Sequence, residues 1–317
     1  MGQLPHERVS PNFTFNCVGV DFSGPYFIKY PNQRKGAVRK VYISVFVCFV
    51  TKACHLELVT DLTTDAFVAT LKRFFSRRGK CVQIFSDNAT NFVGSDRELK
   101  RLRNLIRKPD SKLESFLLSE NIEWNFIPPR SPHHGGLWVA AVKSIKYHLK
   151  RVVGNAKLTY EELLTIITQI EAILNSRPLY PLSSDPQDLD VLTPGHFLIG
   201  RPLTALAEPI IINLPDNRLK AWQRLTKFVQ IIWKKWINNY LSSLQQTSKW
   251  VFSKNNVKVG DMVSIKEDNL PCLKWVIGRI IEVFYGPDGK VRVCNVRTQT
   301  GIAKRAISKL CVLPLQN

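Results

Sequence analysis

The chain of 317 residues carries 45 Lys and Arg against 25 Asp and Glu, a formal net charge of +20, and is 44% hydrophobic. That length and apolar content suit two ordinary globular domains and exclude a disordered tail. The longest apolar run, Val41 to Val50, is about one strand long and far short of the ~20 residues of a membrane-spanning helix. The charge excess asks for a polyanionic partner, a description that ribosomal, chromatin and membrane-surface proteins all meet, so position must decide.

Met1-Gly2 opens a segment without the apolar run of a secretory signal, and His6 stands where myristoylation needs Ser or Thr. The seven cysteines are scattered singly without a CxxC pair and read as reduced packing residues. No His/Cys grouping has zinc spacing, so zinc is not expected.

From Asn16 the pattern is that of strands: Val18 to Asp21, then a basic turn Gln33-Arg34-Lys35-Gly36, then Lys40 to Val50 and Cys54 to Val59. The turns are short, which predicts an antiparallel meander. Thr63 or Thr64 offers an N-cap to a helix carrying Phe67, Val68, Leu71, Phe74 and Phe75 and stopped by Gly79. A short strand, Cys81 to Phe85, ends at Ser86-Asp87-Asn88. Helical spacing returns over Leu99 to Ile106 and Leu113 to Leu118, and Ile122 to Phe126 alternates as a strand. Trp138 to Val153 predicts a helix, and Thr159-Tyr160-Glu161-Glu162 is a capping box opening another, to about Asn175. The order βββ-α-β-α-β-α-α is expected of a ribonuclease-H-like α/β core with a mixed five-stranded sheet, although other α+β domains share it. Residues 178–216 read as a connecting arm. Beyond it, a helix over about Arg218 to Leu244 leads into short strands over Asp261–Lys266, Trp275–Phe284, Val291–Thr298 and Ala306–Val312, the spacing of a small SH3-like barrel. The expected organisation is therefore a lead-in 1–15, a core 16–177, an arm 178–216 and a helix-plus-barrel tail 217–317.

Two carboxylates stand at predicted strand ends, Asp21 after the first strand and Asp87 after the fourth, and in this topology those strands are neighbours. Acids so placed can bridge a Mg²⁺ pair for in-line phosphoryl displacement. Taken singly, each Asp is equally a turn former. In the later helix, Trp138, Val142, Ile145, Leu149 and Val152 form an apolar stripe, and Val139, Lys143, Lys146 and Lys150 form its neighbour. These lysines are either a phosphate-binding face or an ordinary solvated one.

Val20-Asp21-Phe22-Ser23-Gly24-Pro25, Thr51 to Val59, Ser86-Asp87-Asn88-Ala89-Thr90-Asn91-Phe92-Val93-Gly94 and Pro132-His133-His134-Gly135-Gly136-Leu137-Trp138 closely resemble successive motifs of BEL/Pao-type retroelement integrase cores. Leu174 to Leu179 and Leu192 to Pro202 look like that family's arm, and Gly260 to Val263 with Val291 to Cys311 like its tail domain. The resemblance implies that Asp21 and Asp87 are the first two catalytic, metal-holding acids of a DDE triad, with Mg²⁺ or substituting Mn²⁺. It further implies that Asn88 and Asn91 lie against DNA beside them, that the partners are retroelement ends and a target duplex, and that the chain forms a homo-oligomer and works in the nucleus. The third acid departs from the pattern. Where the family has Glu after Leu-Trp this chain has Val139, and no Asp or Glu occurs from Pro128 to Tyr160. His134 is a poor substitute, because hard Mg²⁺ prefers oxygen. The resemblance also implies an N-terminal zinc module ahead of the core, and this chain, which opens almost directly at the core, is read as either a fragment of a longer polyprotein or a degenerate or co-opted copy. The expectation is an integrase-type DNA-binding protein with impaired catalysis. Its rivals are an active integrase whose third acid comes from another subunit or from Glu120 to Glu123, and a non-catalytic DNA or chromatin tether.

Overall fold

The computed structural model describes residues 6–30, 38–86, 108–126, 143, 145–153, 156–245 and 256–314. The chain divides into two compact units, Met1–Leu174 and Asn175–Asn317.

The first unit contains, in order, α1 (His6–Val9), β1 (Cys17–Ile28), β2 (Arg39–Cys48), β3 (Cys54–Val59), α2 (Thr64–Arg78), β4 (Gln83–Ser86), α3 (Ser111–Ser119) and β5 (Glu123–Phe126). Helical residues 145–152 (α4) and α5 (Tyr160–Asn175) follow. The sheet order is β3-β2-β1-β4-β5. β1, β2 and β3 pair antiparallel, whereas β1, β4 and β5 run parallel. A meander extended by two parallel strands on the far side of its first strand is the ribonuclease-H-like arrangement, so the expected fold class holds. The expected helix at Leu99 to Ile106 lies outside the described residues.

Local chemistry explains the elements. β2 is buried on both faces from Val41 to Cys48, which is why it reads as a continuous apolar run instead of alternating. α2 begins where the Thr63 hydroxyl accepts the Ala66 N–H, and it ends at Gly79, whose φ of 86° suits a residue without Cβ. Its Phe74 stacks on Phe46 with centroids 4.3 Å apart. The capping box of α5 is present as read: Glu162 N–H donates to Thr159 Oγ1 at 3.2 Å, and Thr159 N–H donates to Glu162 Oε2 at 2.7 Å.

A buried ionic network ties the outer strand β3 to α2 and α5. His55 and Glu57 are 1% and 4% exposed. His55 Nε2 lies 3.1 Å from Glu57 and Nδ1 lies 3.3 Å from Glu171, while Arg73 and Arg77 reach Glu57 at 2.8 and 2.9 Å, and Arg78 pairs with Glu171. Glu171 also accepts the Leu56 N–H at 2.7 Å, closing one backbone donor of an edge strand. Arg78 Nε, 3.2 Å from Nδ1, can donate only to a neutral imidazole. Burial opposes the charged imidazolium, but hydrogen bonds to Glu171 and Glu57 outweigh it and raise the His55 pKa. Burial likewise works to raise the Glu57 pKa, and the bonds from His55 and Arg73 bring it below the ordinary value.

The second unit holds a two-stranded β6 (Tyr180–Pro181) and β7 (Val191–Leu192), α6 (His196–Ile199), α7 (Ala221–Leu244), and strands β8 (Met262–Ile265), β9 (Ile277–Tyr285), β10 (Val291–Thr298), β11 (Gly301–Ala306) and β12 (Leu310–Val312). The antiparallel sheet has the order β11-β10-β9-β8-β12. This is an SH3-like arrangement, in which a four-stranded meander is completed by a last strand returning beside the first. Val263, Ile265, Ile280, Val291, Cys294, Val296 and Leu310 form its core. The strand expected over Ala306–Val312 is instead a 3-10 turn, Ile307–Lys309, followed by β12, and β11 was not anticipated. Its sequence Gly301-Ile302-Ala303-Lys304-Arg305-Ala306 is largely exposed and lacks the apolar alternation by which strands are recognised. On α7, Trp236 stacks on Tyr240 at 5.4 Å and both meet Trp275 edge-on, while Tyr240 Oη donates to Pro178 O at 2.6 Å. Arg279, 5% exposed, donates to the carbonyls of Gly260, Ser183 and Asp188 at 3.0, 3.3 and 3.1 Å. These contacts order an arm that has little periodicity of its own.

Two stability outcomes follow. A raised His55 pKa contributes stability fully present below about pH 6.5, and this is lost as pH rises through the folded value. The lowered Glu57 pKa contributes stability present above its ordinary value of 4.5, and this is lost as pH falls through the folded one. Thermal midpoints should therefore fall from pH 6.5 towards 8.5 in the parent and fall less in His55→Gln; equal slopes would show that the imidazole does not couple to folding. In the tail, a Cβ on Gly278 would lie 2.5 Å from Val296 Cγ1 and 2.6 Å from Arg297 O. Gly278→Ala should cost about 1–3 kcal/mol in denaturant unfolding, and an unchanged midpoint would contradict that packing.

Candidate functional site

β1 and β4 run side by side in parallel, pairing Cys17 with Gln83, Val18 with Ile84, Gly19 with Phe85 and Val20 with Ser86. The next residues in the two chains are Asp21 and Asp87. Asp21 is half-buried, faces Val45 across β2, and accepts the N–H of Phe22 on Oδ1 at 2.7 Å. It is not at the end of its strand, as the turn-rich Asp21-Phe22-Ser23-Gly24-Pro25 string suggests. β1 continues to Ile28 through a register shift between Ser23 and Tyr26, because β2 keeps pairing with it across that shift. Asp87, Asn88, Asn91 and Val139 lie outside the described residues.

A chain of aromatic contacts links the neighbours of the two acids. Phe22 packs on Phe67 at 5.7 Å, Phe67 meets Trp124 at 5.6 Å, and Trp124 Nε1 donates to Ser86 Oγ at 3.0 Å. The residue after Asp21 and the residue before Asp87 are thus held through one row of side chains from β1, α2, β5 and β4. This gives the position of Asp21 a rigid support, which a metal or phosphate site requires.

The oxygen donor of Asp21, on a strand whose parallel neighbour leads into Asp87, has the chemistry of a Mg²⁺ site that keeps several waters. No group of three or more His, Cys, Asp or Glu side chains gathers among the described residues. The fit to a metal therefore rests on this pair of strand positions.

On α4, Ile145, His148 and Leu149 are buried at 2%, 3% and 0% exposure, whereas Lys143 and Lys150 are exposed and Lys146 is half-buried. The lysines thus lie off the packed side of the helix. Sequence reasoning passed over Arg151, whose guanidinium sits 3.9 Å from the Tyr147 ring centroid and also donates to its hydroxyl. The i, i+4 spacing of Tyr147 and Arg151 was the available signal.

The fold is that of a ribonuclease-H-like α/β core followed by a helix and an SH3-like antiparallel sheet, an assignment that rests on strand order and pairing. Residues 220–313, spanning α7 and that sheet, match a family of unknown function (DUF5641). No curated protein matches the chain. Among solved structures, the chain resembles one in the simian T-cell lymphotropic virus intasome in complex with PP2A regulatory subunit B56 gamma, at 12% identity and a TM-score of 0.41, over 100% of this chain and 85% of that one. It also resembles the HTLV-2 integrase catalytic core domain with magnesium. The dimeric form matches at 16% identity and a TM-score of 0.34, over 51% of this chain and 88% of the other. The trimeric form matches at 16% and 0.36, over 59% and 97%.

If Lys143, Lys146 and Lys150 hold phosphates as one face, a triple Lys→Gln variant should bind duplex DNA more weakly. The dependence of its log affinity on log salt should fall by roughly 0.9 for each contact removed. Surface changes of this kind move stability by less than ~0.5 kcal/mol, so folding cannot stand in for the effect. Parent affinity with parent salt slope would exclude the face from DNA.

Proposed function

We propose that the chain is an integrase-type DNA-binding protein of BEL/Pao retroelement lineage that holds DNA and has lost most of its strand-transfer chemistry. The observation carrying this reading is the parallel register of β1 and β4, which pairs Val20 with Ser86, the residues that precede the motif acids Asp21 and Asp87 in the sequence. Further support comes from the chain-long order of motifs and from the net charge of +20.

Asp21 and Asp87 would hold Mg²⁺, with Mn²⁺ as a substitute, and the ion when bound would supply activation of the attacking oxygen and neutralisation of charge developing on the phosphate. The backbone N–H of Phe22 donates to one Asp21 oxygen and orients the carboxylate. The α4 lysines offer countercharge to the DNA backbone. Val139 occupies the third-acid position of the motif and supplies no donor, so metal binding is weak and the reacting phosphate poorly positioned. This favours DNA holding over DNA joining. The partners proposed are retroelement ends, a target duplex and chromatin, in a nuclear homo-oligomer.

The tail from Lys249 onward has 12 Lys and Arg against 5 Asp and Glu, so the full chain should bind duplex DNA in a steeply salt-dependent manner. In 3′-processing and strand-transfer assays with Mg²⁺ or Mn²⁺ the parent should be inactive and Val139→Glu should gain activity. The catalytic part of this reading fails if the parent joins DNA ends at a rate that Asp87→Asn abolishes; the DNA-holding part fails if the parent binds no DNA at low salt.

A further inference from the structure

β1 is long. Its pairing with the described part of β4 covers Cys17 to Val20, and with β2 it runs on as a two-stranded hairpin to Ile28 opposite Arg39. At ~3.3 Å per residue this carries the hairpin on the order of 20 Å past Asp21 on the carboxylate side of the sheet. Its far end is apolar and cationic at once. Phe27 is 54% exposed, Tyr30 45% and Val38 43%. Phe27 stands directly opposite Lys40 in the register, and Arg39 and Lys40 are both exposed. Ile28 bridges to Leu158, where Lys29 N–H donates to Leu158 O at 2.8 Å. The bridge is parallel, so its register sets the exposed Lys157 alongside Phe27. The sequence has no Asp or Glu between Asp21 and Glu57, so the hairpin's own residues add no negative charge. On the adjoining segment, the Glu162 carboxylate is occupied by the Thr159 N–H.

Exposed ring faces interleaved with cations match one ligand class. A base inside a duplex already has both faces stacked, whereas an unpaired base offers a face to an aromatic ring while its phosphate meets a cation. We infer that the end of the β1–β2 hairpin binds unpaired nucleotides, with Phe27 and Tyr30 as stacking platforms and Lys29, Arg39, Lys40 and Lys157 as phosphate contacts. The proposal rests on the reading of the chain as a DNA-binding protein. It adds a site, on the side of the sheet towards which β1 runs beyond Asp21, for single-stranded DNA next to the duplex to be held.

The test uses the full chain, a labelled single strand of about 12 nucleotides, long enough for an aromatic-lined groove, and the blunt duplex of the same sequence. Phe27→Ala and Tyr30→Ala should each weaken single-strand binding roughly fivefold or more and leave duplex binding nearly unchanged, and Phe27→Trp should retain affinity. Lys40→Gln should lower the single-strand salt slope by about 0.7. Unchanged single-strand affinity in both alanine variants overturns the proposal, as does an equal loss on both substrates. A change in sedimentation without a change in affinity would also overturn it and mark the patch as a protein interface. If the parent binds the duplex while the hairpin variants are indistinguishable from it, the hairpin inference alone fails. A parent that binds neither DNA removes the integrase-type reading as well.

Discussion

Strand β1 carries the architecture of the first unit because it is paired on both edges in opposite senses, antiparallel to β2 and parallel to β4. Val18, Gly19 and Val20 are consequently fixed in register twice, and a one-residue slip against either neighbour would exchange the two faces on which these buried residues pack. The pairing with β2 runs on through Asp21 to Ile28. The candidate metal position and the projecting hairpin therefore belong to one continuous strand.

What surrounds β1 restrains that region from moving. The row Phe22, Phe67, Trp124 and Ser86 spans four elements and rests on α2, which is itself seated by the stack of Phe74 on Phe46. On the opposite edge, β3 is secured by charges in place of packing alone, with His55 and Glu57 almost fully removed from water and satisfied by Glu171 and three arginines. Removing one member of such a network strands the others, which makes it a specifying device more than a source of net stability. The tail unit uses a third solution. There a girder of Trp236, Tyr240 and Trp275, together with the buried Arg279, seizes backbone carbonyls of an arm whose apolar residues are mostly exposed or half-buried.

The meander, the helix between Thr63 and Gly79, the capping box at Thr159 and the long amphipathic α7 were legible because each depends on interactions within a few residues: caps, turns and the period of apolar side chains. Asp21 and Asp87 were legible as candidates because motif order singled them out. The hairpin beyond Asp21 was hidden by its own turn-rich string, since Ser23-Gly24-Pro25 reads as a strand end and becomes a bulge only when β2 continues to pair across it. β11 was hidden for a related reason, in that an exposed strand with a Gly start and alternating cations owes its conformation to β10 and not to its composition.

By itself the sequence determined the element order of the core, the basic character that calls for a polyanion, and the presence of Val139 directly after Leu137-Trp138, all of which are properties of residues taken locally or counted. Only the tertiary structure decided that β1 runs on with β2 past Asp21 to Ile28 and that Glu171, far away in the chain, satisfies both His55 and the Leu56 N–H. Arg279 of the sheet likewise fastens the loop at Ser183 and Asp188 only in the folded chain. These outcomes depend on which distant partner removes a polar group from water. That choice is made by the free energy of the assembled interior, and short-range pattern carries no record of it.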